Sequence, residues 1–301
     1  MITPLDANTQ RFLNDLNQIA DRMQVAQRQI STGIRVFKVS DDPDQVSNIL
    51  QARASLGATE QIQFNLGRVK TEADTAEQTL QSAIQVVERA RTLSAQAANG
   101  TQTAETRQAA AQEVTSLLEQ LVGLSRTSVE GRYLFSGDQD QQPPYSIDLT
   151  QANPISAYSG SAATRQVQHP NGSTFPVSKT AQEIFDASDP TRNVFAAVNS
   201  LRQALLNNDQ TGIAAAIDTL TTAGAYLNTQ LAFYGSVQNR IGDAIDYGSR
   251  LQVQLQTQLS DLQDADTTAA ILELQQTTNS QQAALLARSR MPHTSLFDYL
   301  G

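Results

Sequence analysis

Residues 60–90 read EQIQFNLGRVKTEADTAEQTLQSAIQVVERA, and this stretch decides the fold. Ile62, Leu66, Val69, Ala73, Ala76, Leu80, Ala83, Val87 and Ala90 recur at alternating intervals of four and three. Such spacing keeps one apolar stripe along one side of an α-helix, as in the seam of a coiled coil. Ser40-Asp41-Asp42-Pro43 supplies the start of that helix. It brings a capping side chain, acidic residues at the positive end of the helix dipole and a proline in the first turn. From Pro43 to about Asn99 only Gly57 and Gly67 interrupt the pattern. The spacing therefore predicts a helix of roughly 80 Å at ~1.5 Å per residue, too long for an ordinary compact domain.

Working outwards, a helix from about Thr3 to Thr32 carries Leu5, Phe12, Leu16, Ile19, Met23, Ala26 and Ile30 at the same intervals. Gly33 ends it, as glycine does just past a helix C-terminus. Downstream, Asn99-Gly100 reads as a tight turn. A helix from about Ala104 to Val129 follows, with Val114, Leu117, Leu121 and Leu124 as its stripe. Two antiparallel helices joined by that turn are the economical reading.

After Glu130 the texture changes. Residues 131–180 hold most of the prolines and short runs at 132–135, 156–158 and 165–168, punctuated by Gly137, Gly160 and Asn171-Gly172. Such runs predict β-hairpins. Helical periodicity returns at about 192–207 and 211–260. Beyond the polar segment 261–268, a last helix carries Ile271, Leu274, Thr278, Gln281, Leu285 and Arg288. Pro292 stops it, and Leu296, Phe297 and Leu300 mark an apolar tail.

The fold class is mainly α: an elongated antiparallel helical bundle or coiled coil drawn from both termini, with a small β-rich central insert. Three domains are expected: terminal coiled-coil segments 1–42 plus 261–301, a long-helix bundle 43–130 plus 190–260, and an outer insert 131–189. The terminal stripes find a partner within the chain only if the two ends pair, and part of each stripe then still faces outwards. Leu5, Phe12, Leu16, Ile19, Met23, Ile30, Ile271, Leu274, Leu285, Leu296, Phe297 and Leu300 are the candidate assembly and coiled-coil residues. An exposed apolar helical face of that length points to contact with other chains.

Composition narrows the function. The 301 residues carry a net charge of −9, so clustered cations for a nucleic-acid backbone are lacking. Aromatic residues make up only 5%, which favours long helices over a large globular core. There is no cysteine, hence no disulfide, thiolate metal site or cysteine nucleophile. The two histidines, His169 and His293, lie in unlike contexts and read as surface residues. Asp41-Asp42 and Asp264-Ala265-Asp266 read as helix caps and a helix joint, since neither has the ligand number of a calcium loop. Arg288-Ser289-Arg290 complements a helix C-terminus. No phosphate-binding glycine loop or nucleophile elbow occurs. No catalytic, cofactor or metal site is expected, nor any apolar run of the ~18 residues that span a bilayer, nor a basic-then-apolar leader.

The same residues carry a family resemblance. Ile30-Ser31-Thr32-Gly33-Ile34-Arg35-Val36 with Ser40-Asp41-Asp42-Pro43 resembles the N-terminal region of bacterial flagellins. Leu93 to Thr101 is similar to the family's "VQAANGT" turn. Gly235 to Ile241 resembles its "QNR" segment, Leu262 to Asp266 its "IEDAD" segment, and Phe297 to Leu300 its apolar C-terminus. Glu130 to Gly137 with Pro144-Tyr145, and Phe195 to Leu201, resemble the branch that forms the hook–filament junction. A filament-forming flagellin is the alternative, and a cytoplasmic coiled-coil scaffold a remote one. The resemblance implies a structural, non-enzymatic subunit of the extracellular flagellum, exported by the flagellar type III route without a cleaved signal. It implies as partners further copies of the chain, a neighbouring hook-associated protein, flagellin, and an export chaperone on the C-terminal segment.

Overall fold

The computed structural model describes residues 7–290; the expectations placed on Leu5, His293, Leu296, Phe297 and Leu300 lie outside the described residues. Seven helices run α1 (Ala7–Thr32), α2 (Pro43–Ala97), α3 (Ala104–Ser125), α4 (Ala181–Phe185), α5 (Val194–Leu206), α6 (Gln210–Gln263) and α7 (Thr267–Ser289) among those residues. Between α3 and α4 lie β1 (Ser128–Val129), β2 (Arg132–Tyr133), β3 (Gln166–Gln168) and β4 (Thr174–Pro176). The chain belongs to the mainly α class that the periodicity predicts.

The described chain forms two compact units, where the sequence pattern suggests three. Unit 1 takes the residues up to 58 and those from 251 onwards, and unit 2 is 59–250. α2 and α6, of 55 and 54 residues, contribute to both.

Unit 2 holds a continuous apolar core from Leu66 to Ala244. The seam of 60–90 faces it: Leu66, Ala73, Ala76, Leu80, Ala83, Val87 and Ala90 are buried, with Ile62 and Val69 packed at its edge. The turn at 98–103 is tied down by a cation. Arg107 is 6% exposed, donating from Nε to the Ala97 carbonyl at 3.0 Å and from Nη1 to Asn208 Oδ1 at 2.7 Å.

The stretch 131–189 shares this core. Leu134, Phe135, Tyr145, Val167, Phe175 and Ile184 are all buried in it. The physical reason is size: two- and three-residue strands bury little area, so aromatic rings fill the space. Phe185 meets Phe135 edge-on at 6.1 Å and stacks on Phe195 at 5.5 Å, while Tyr145 meets Phe195 at 5.2 Å. β1 and β2 pair antiparallel through a two-residue turn, with Glu130 at φ 52° and Gly131 at φ 78°, the doubly left-handed form suited to a hairpin. β3 and β4 pair Val167 with Phe175, both inward, while Gln166, Gln168, Thr174 and Pro176 are exposed. The run 156–158 forms no strand, and 128–129 leaves the helix predicted through Val129 to become β1. α4, absent from the sequence reading, is fixed by a capping box in which Thr180 and Glu183 bond each other's backbone amides.

Unit 1 is built differently. α1 packs on α7, and the 33–36 backbone pairs with the break between α6 and α7. Gly33, at φ 69°, caps α1 and accepts from the Ala265 amide at 2.8 Å. The Arg35 amide donates to the Gln263 carbonyl at 2.7 Å, and Arg53 Nη2 donates to Gln263 Oε1 at 2.8 Å.

Candidate functional site

The α1–α7 seam and its surroundings carry the candidate site. On α1, Phe12, Leu16, Ile19, Met23 and Ile30 are half-buried along one face, and Ala26 is fully buried among them. On α7 the seam keeps Leu274, Gln281 and Arg288 of the expected stripe but takes Ala270, Thr277 and Ala284 in place of Ile271, Thr278 and Leu285. Ala270 and Thr277 are its buried positions, with Leu274, Gln281, Ala284 and Arg288 half-buried beside them. Ile271 and Leu285 are 45% and 51% exposed and face away from it.

The phase is set by side-chain size and polarity. Small Ala26 and Ala270 let the backbones approach closely, and Thr277 is admitted because its hydroxyl donates to the Glu273 carbonyl at 2.7 Å. Polar contacts then fix the register. Arg22 pairs with Glu273 at 2.7 Å, and Arg288 reaches Thr9 Oγ1 at 2.9 Å with its guanidinium 5.7 Å from the Phe12 ring centre. Arg288 thus acts across the seam, beyond the helix-end role its position suggests.

The acidic pairs serve as caps. Asp42 Oδ1 accepts from the Gln45 amide at 3.3 Å at the start of α2. Asp266 Oδ1 accepts from the Thr268 and Ala269 amides at 2.9 and 3.0 Å at the start of α7. Asp41 closes the 37–41 turn, accepting at Oδ2 from the Phe37 and Lys38 amides at 3.0 and 2.8 Å. The Lys38 amide, foremost, holds the Asp41 carboxyl below the usual carboxylate range. His169, half-buried, accepts from the Asn171 amide at Nδ1 and lies against Tyr247. No cluster of metal-ligating side chains occurs among the described residues. Among them too, no helix is long and apolar enough to cross a membrane.

What unit 1 leaves uncovered distinguishes it. Leu13, Val25, Phe37, Val39, Leu50 and Val253 are exposed there, as are Ile271, Leu272, Leu285 and Leu286 on α7. Of these only Ile271 and Leu285 stand out in the sequence as assembly residues. Phe37 and Val39 lie between helices, where no period singles them out.

Residues 6–140 match the bacterial flagellin N-terminal helical region, and residues 215–300 match the bacterial flagellin C-terminal helical region. Together the two matches take in well over half of the chain, and the chain belongs to the bacterial flagellin family. Within that family it is 26% identical, over 89% of its length and 90% of the relative's, to flagellar hook-associated protein 3 of Escherichia coli. Polar flagellin E of Vibrio parahaemolyticus is 33% identical, but over 44% of this chain and 35% of its own. The crystal structure of flagellar hook-associated protein 3 from Legionella pneumophila matches in fold, with a TM-score of 0.62 at 14% identity, covering 71% of this chain and 98% of that one.

Proposed function

We propose that this chain is a structural subunit of the bacterial flagellum that assembles with its own copies at the hook–filament junction, as the adaptor on which the filament grows. One observation carries the self-assembly: α1 and α7 share a thin seam of half-buried side chains while ten large apolar side chains of unit 1 face solvent. Burying each such side chain contributes about 1.5–3 kcal/mol, a gain that neighbouring copies supply. The junction position is supported by end-to-end similarity to hook-associated protein 3, against the partial match to a filament flagellin.

Beyond its own copies, the partners are a neighbouring hook-associated protein and flagellin. An export chaperone holds the C-terminal segment in a helix-in-groove complex before assembly, and export follows the flagellar type III route. The role is structural, with no catalysis. Gene deletion followed by electron microscopy tests the junction reading. Hooks without filaments, with flagellin released into the medium and filaments restored by this chain, are expected. Normal filaments in the deletion strain overturn it. Abundance separates the alternative: a filament-forming flagellin dominates sheared flagella, whereas a junction subunit is scarce there.

A further inference from the structure

The dipeptide Asn-Gly occurs twice, as Asn99-Gly100 between α2 and α3 and as Asn171-Gly172 between β3 and β4. Glycine has no Cβ, so its amide nitrogen can reach the side-chain carbonyl carbon of the asparagine before it. Both asparagines are exposed, and both fold the side chain forward over the following peptide. Asn99 Oδ1 accepts from the Thr101 amide at 3.2 Å, and Asn171 Oδ1 accepts from the Ser173 amide at 3.0 Å and hydroxyl at 2.7 Å. Such bonds polarise the side-chain carbonyl and stabilise the oxyanion that forms when a nucleophile adds to it. The two nucleophiles differ. The Gly172 amide is held by the His169 carbonyl at 2.9 Å, whereas the Gly100 amide has no acceptor among the described residues.

A buried cation faces the same peptide unit. Besides its bonds to the Ala97 carbonyl and Asn208 Oδ1, Arg107 donates from Nη2 to the Asn99 carbonyl at 3.4 Å. All three acceptors are neutral, so this guanidinium has no carboxylate partner among the described residues. The Asn99 carbonyl and the Gly100 amide share one peptide unit, and loss of the Gly100 proton spreads negative charge over both atoms. Arg107 and the Gln102 amide, which donates to the same oxygen at 3.1 Å, stabilise that charge. We infer that Asn99 is a site of spontaneous deamidation, set up by the free Gly100 amide and steered by Arg107 towards isoaspartate. The Gly100 amide gives its proton to solvent, its nitrogen adds to Asn99 Cγ, the Cγ–Nδ2 bond breaks, and ammonia leaves a succinimide. Water then opens the ring. Attack at the main-chain carbonyl carbon routes the backbone through Cγ and frees the former Asn99 carbonyl as a carboxylate. That carboxylate includes the oxygen which Arg107 already contacts, so the buried cation gains a charged partner. Opening at Cγ gives aspartate instead and leaves the Arg107 acceptor at that position a neutral carbonyl.

The second Asn-Gly is a control within the same chain. The full-length protein is incubated at mildly alkaline pH, folded and in urea. Tryptic peptides 92–107 and 166–179 are followed by mass spectrometry for the gain of about one dalton that deamidation brings. In the folded chain Asn99 converts about tenfold faster than Asn171, whose glycine amide has a further hydrogen bond to break. In urea the two rates converge. Isoaspartate at 99, told from aspartate by electron-transfer fragmentation, makes up a larger share of the product in the folded chain than in urea. Arg107→Gln, with its fold checked by thermal unfolding, slows conversion and lowers that share to the value in urea. Asn171 converting as fast as Asn99 in the folded chain, or a rate ratio unchanged by urea, overturns the inference. An isoaspartate share equal in the folded and unfolded parent overturns the part given to Arg107, whether or not the variant folds.

Discussion

Units 1 and 2 are both helical, yet they use apolar side chains in opposite ways. Among the described residues, unit 1 buries only Ala26, Val36, Ile49, Ala52 and Ala270 from its apolar set, three of them alanine. Unit 2 buries Phe135, Tyr145, Phe185, Phe195 and Tyr234 together with a long row of leucines. The difference teaches that a shared helical pattern leaves the source of stability open. Unit 2 draws its order from its own core, while unit 1 leaves ten of its larger apolar side chains exposed and most of the others only half-buried.

The strongest way to break that comparison is to remove 131–180 in favour of a short glycine-serine linker. The sequence pattern, which places these residues in an outer insert, predicts tolerance. The buried aromatic cluster predicts instead that cooperative unfolding of unit 2 is lost, as circular dichroism on heating measures. Single truncations give a finer contrast. Phe185→Ala lowers unfolding free energy by about 3–5 kcal/mol, whereas Ile19→Ala, at a half-buried seam position, costs about 1 kcal/mol or less in the isolated chain. Equal losses in urea titrations contradict the contrast.

Glycines sharpen it further. Gly137 sits at φ 63°, and a Cβ there collides with the Ser161 carbonyl and comes within 2.8 Å of the Ala163 carbonyl. Gly137→Ala is therefore expected to cost about 1–3 kcal/mol. Gly57, helical and in unit 1 with open space around its Cα, should gain about 0.5–1 kcal/mol as Gly57→Ala. Thermal melts of the pair, shifting in opposite directions, check both.

Native-state hydrogen exchange compares the units without mutation. Amides of α1 and α7 exchange far faster in the dilute chain than those of 80–122, and they gain protection on assembly. Strong protection of α1 in the monomer sinks this expectation. The smallest effect concerns pH. Because the folded-state pKa of Asp41 lies below the ordinary 3.8, its contribution is complete above that value and is lost as pH falls through the lowered one. Asp41→Asn should remove this acid dependence from the 37–41 turn, read from amide chemical shifts below pH 4.

The long helices were legible because a stripe of alternating threes and fours persists over many turns, and Asp42, Gly33 and Asp266 mark their ends in the expected ways. α7 was legible as a helix, and Leu274, Gln281 and Arg288 were legible as seam positions, but the alternate positions were placed one residue late. Its apolar residues spread around the axis, and the choice between Ala270 and Ile271 as seam residue depends on how closely α1 approaches. Residues 131–189 misled for a related reason. Glycine and proline there signal turns, but turns can be packed against a core, and only tertiary contacts reveal Phe135 and Phe185 as buried. Phe37 and Val39 escaped because they belong to no period. Arg107 likewise sits on α3 like any surface cation until the turns at 98–103 and 207–209 close over it.

The joint between residues 33–36 and 262–265 also governs when the molecule can be completed. Arg35 bonds the Leu262 carbonyl 227 positions away, Arg22 meets Glu273 across 251, and Arg288 meets Thr9 across 279. On a ribosome, residues 59–250 have emerged with every partner of their core before α7 exists. α1, made first, waits until the last residues are made. Contacts so distant along the chain form slowly, because loop closure must precede any gain. α1 can therefore find its partner only after α7 has been made, whereas residues 59–250 hold all the partners of their own core.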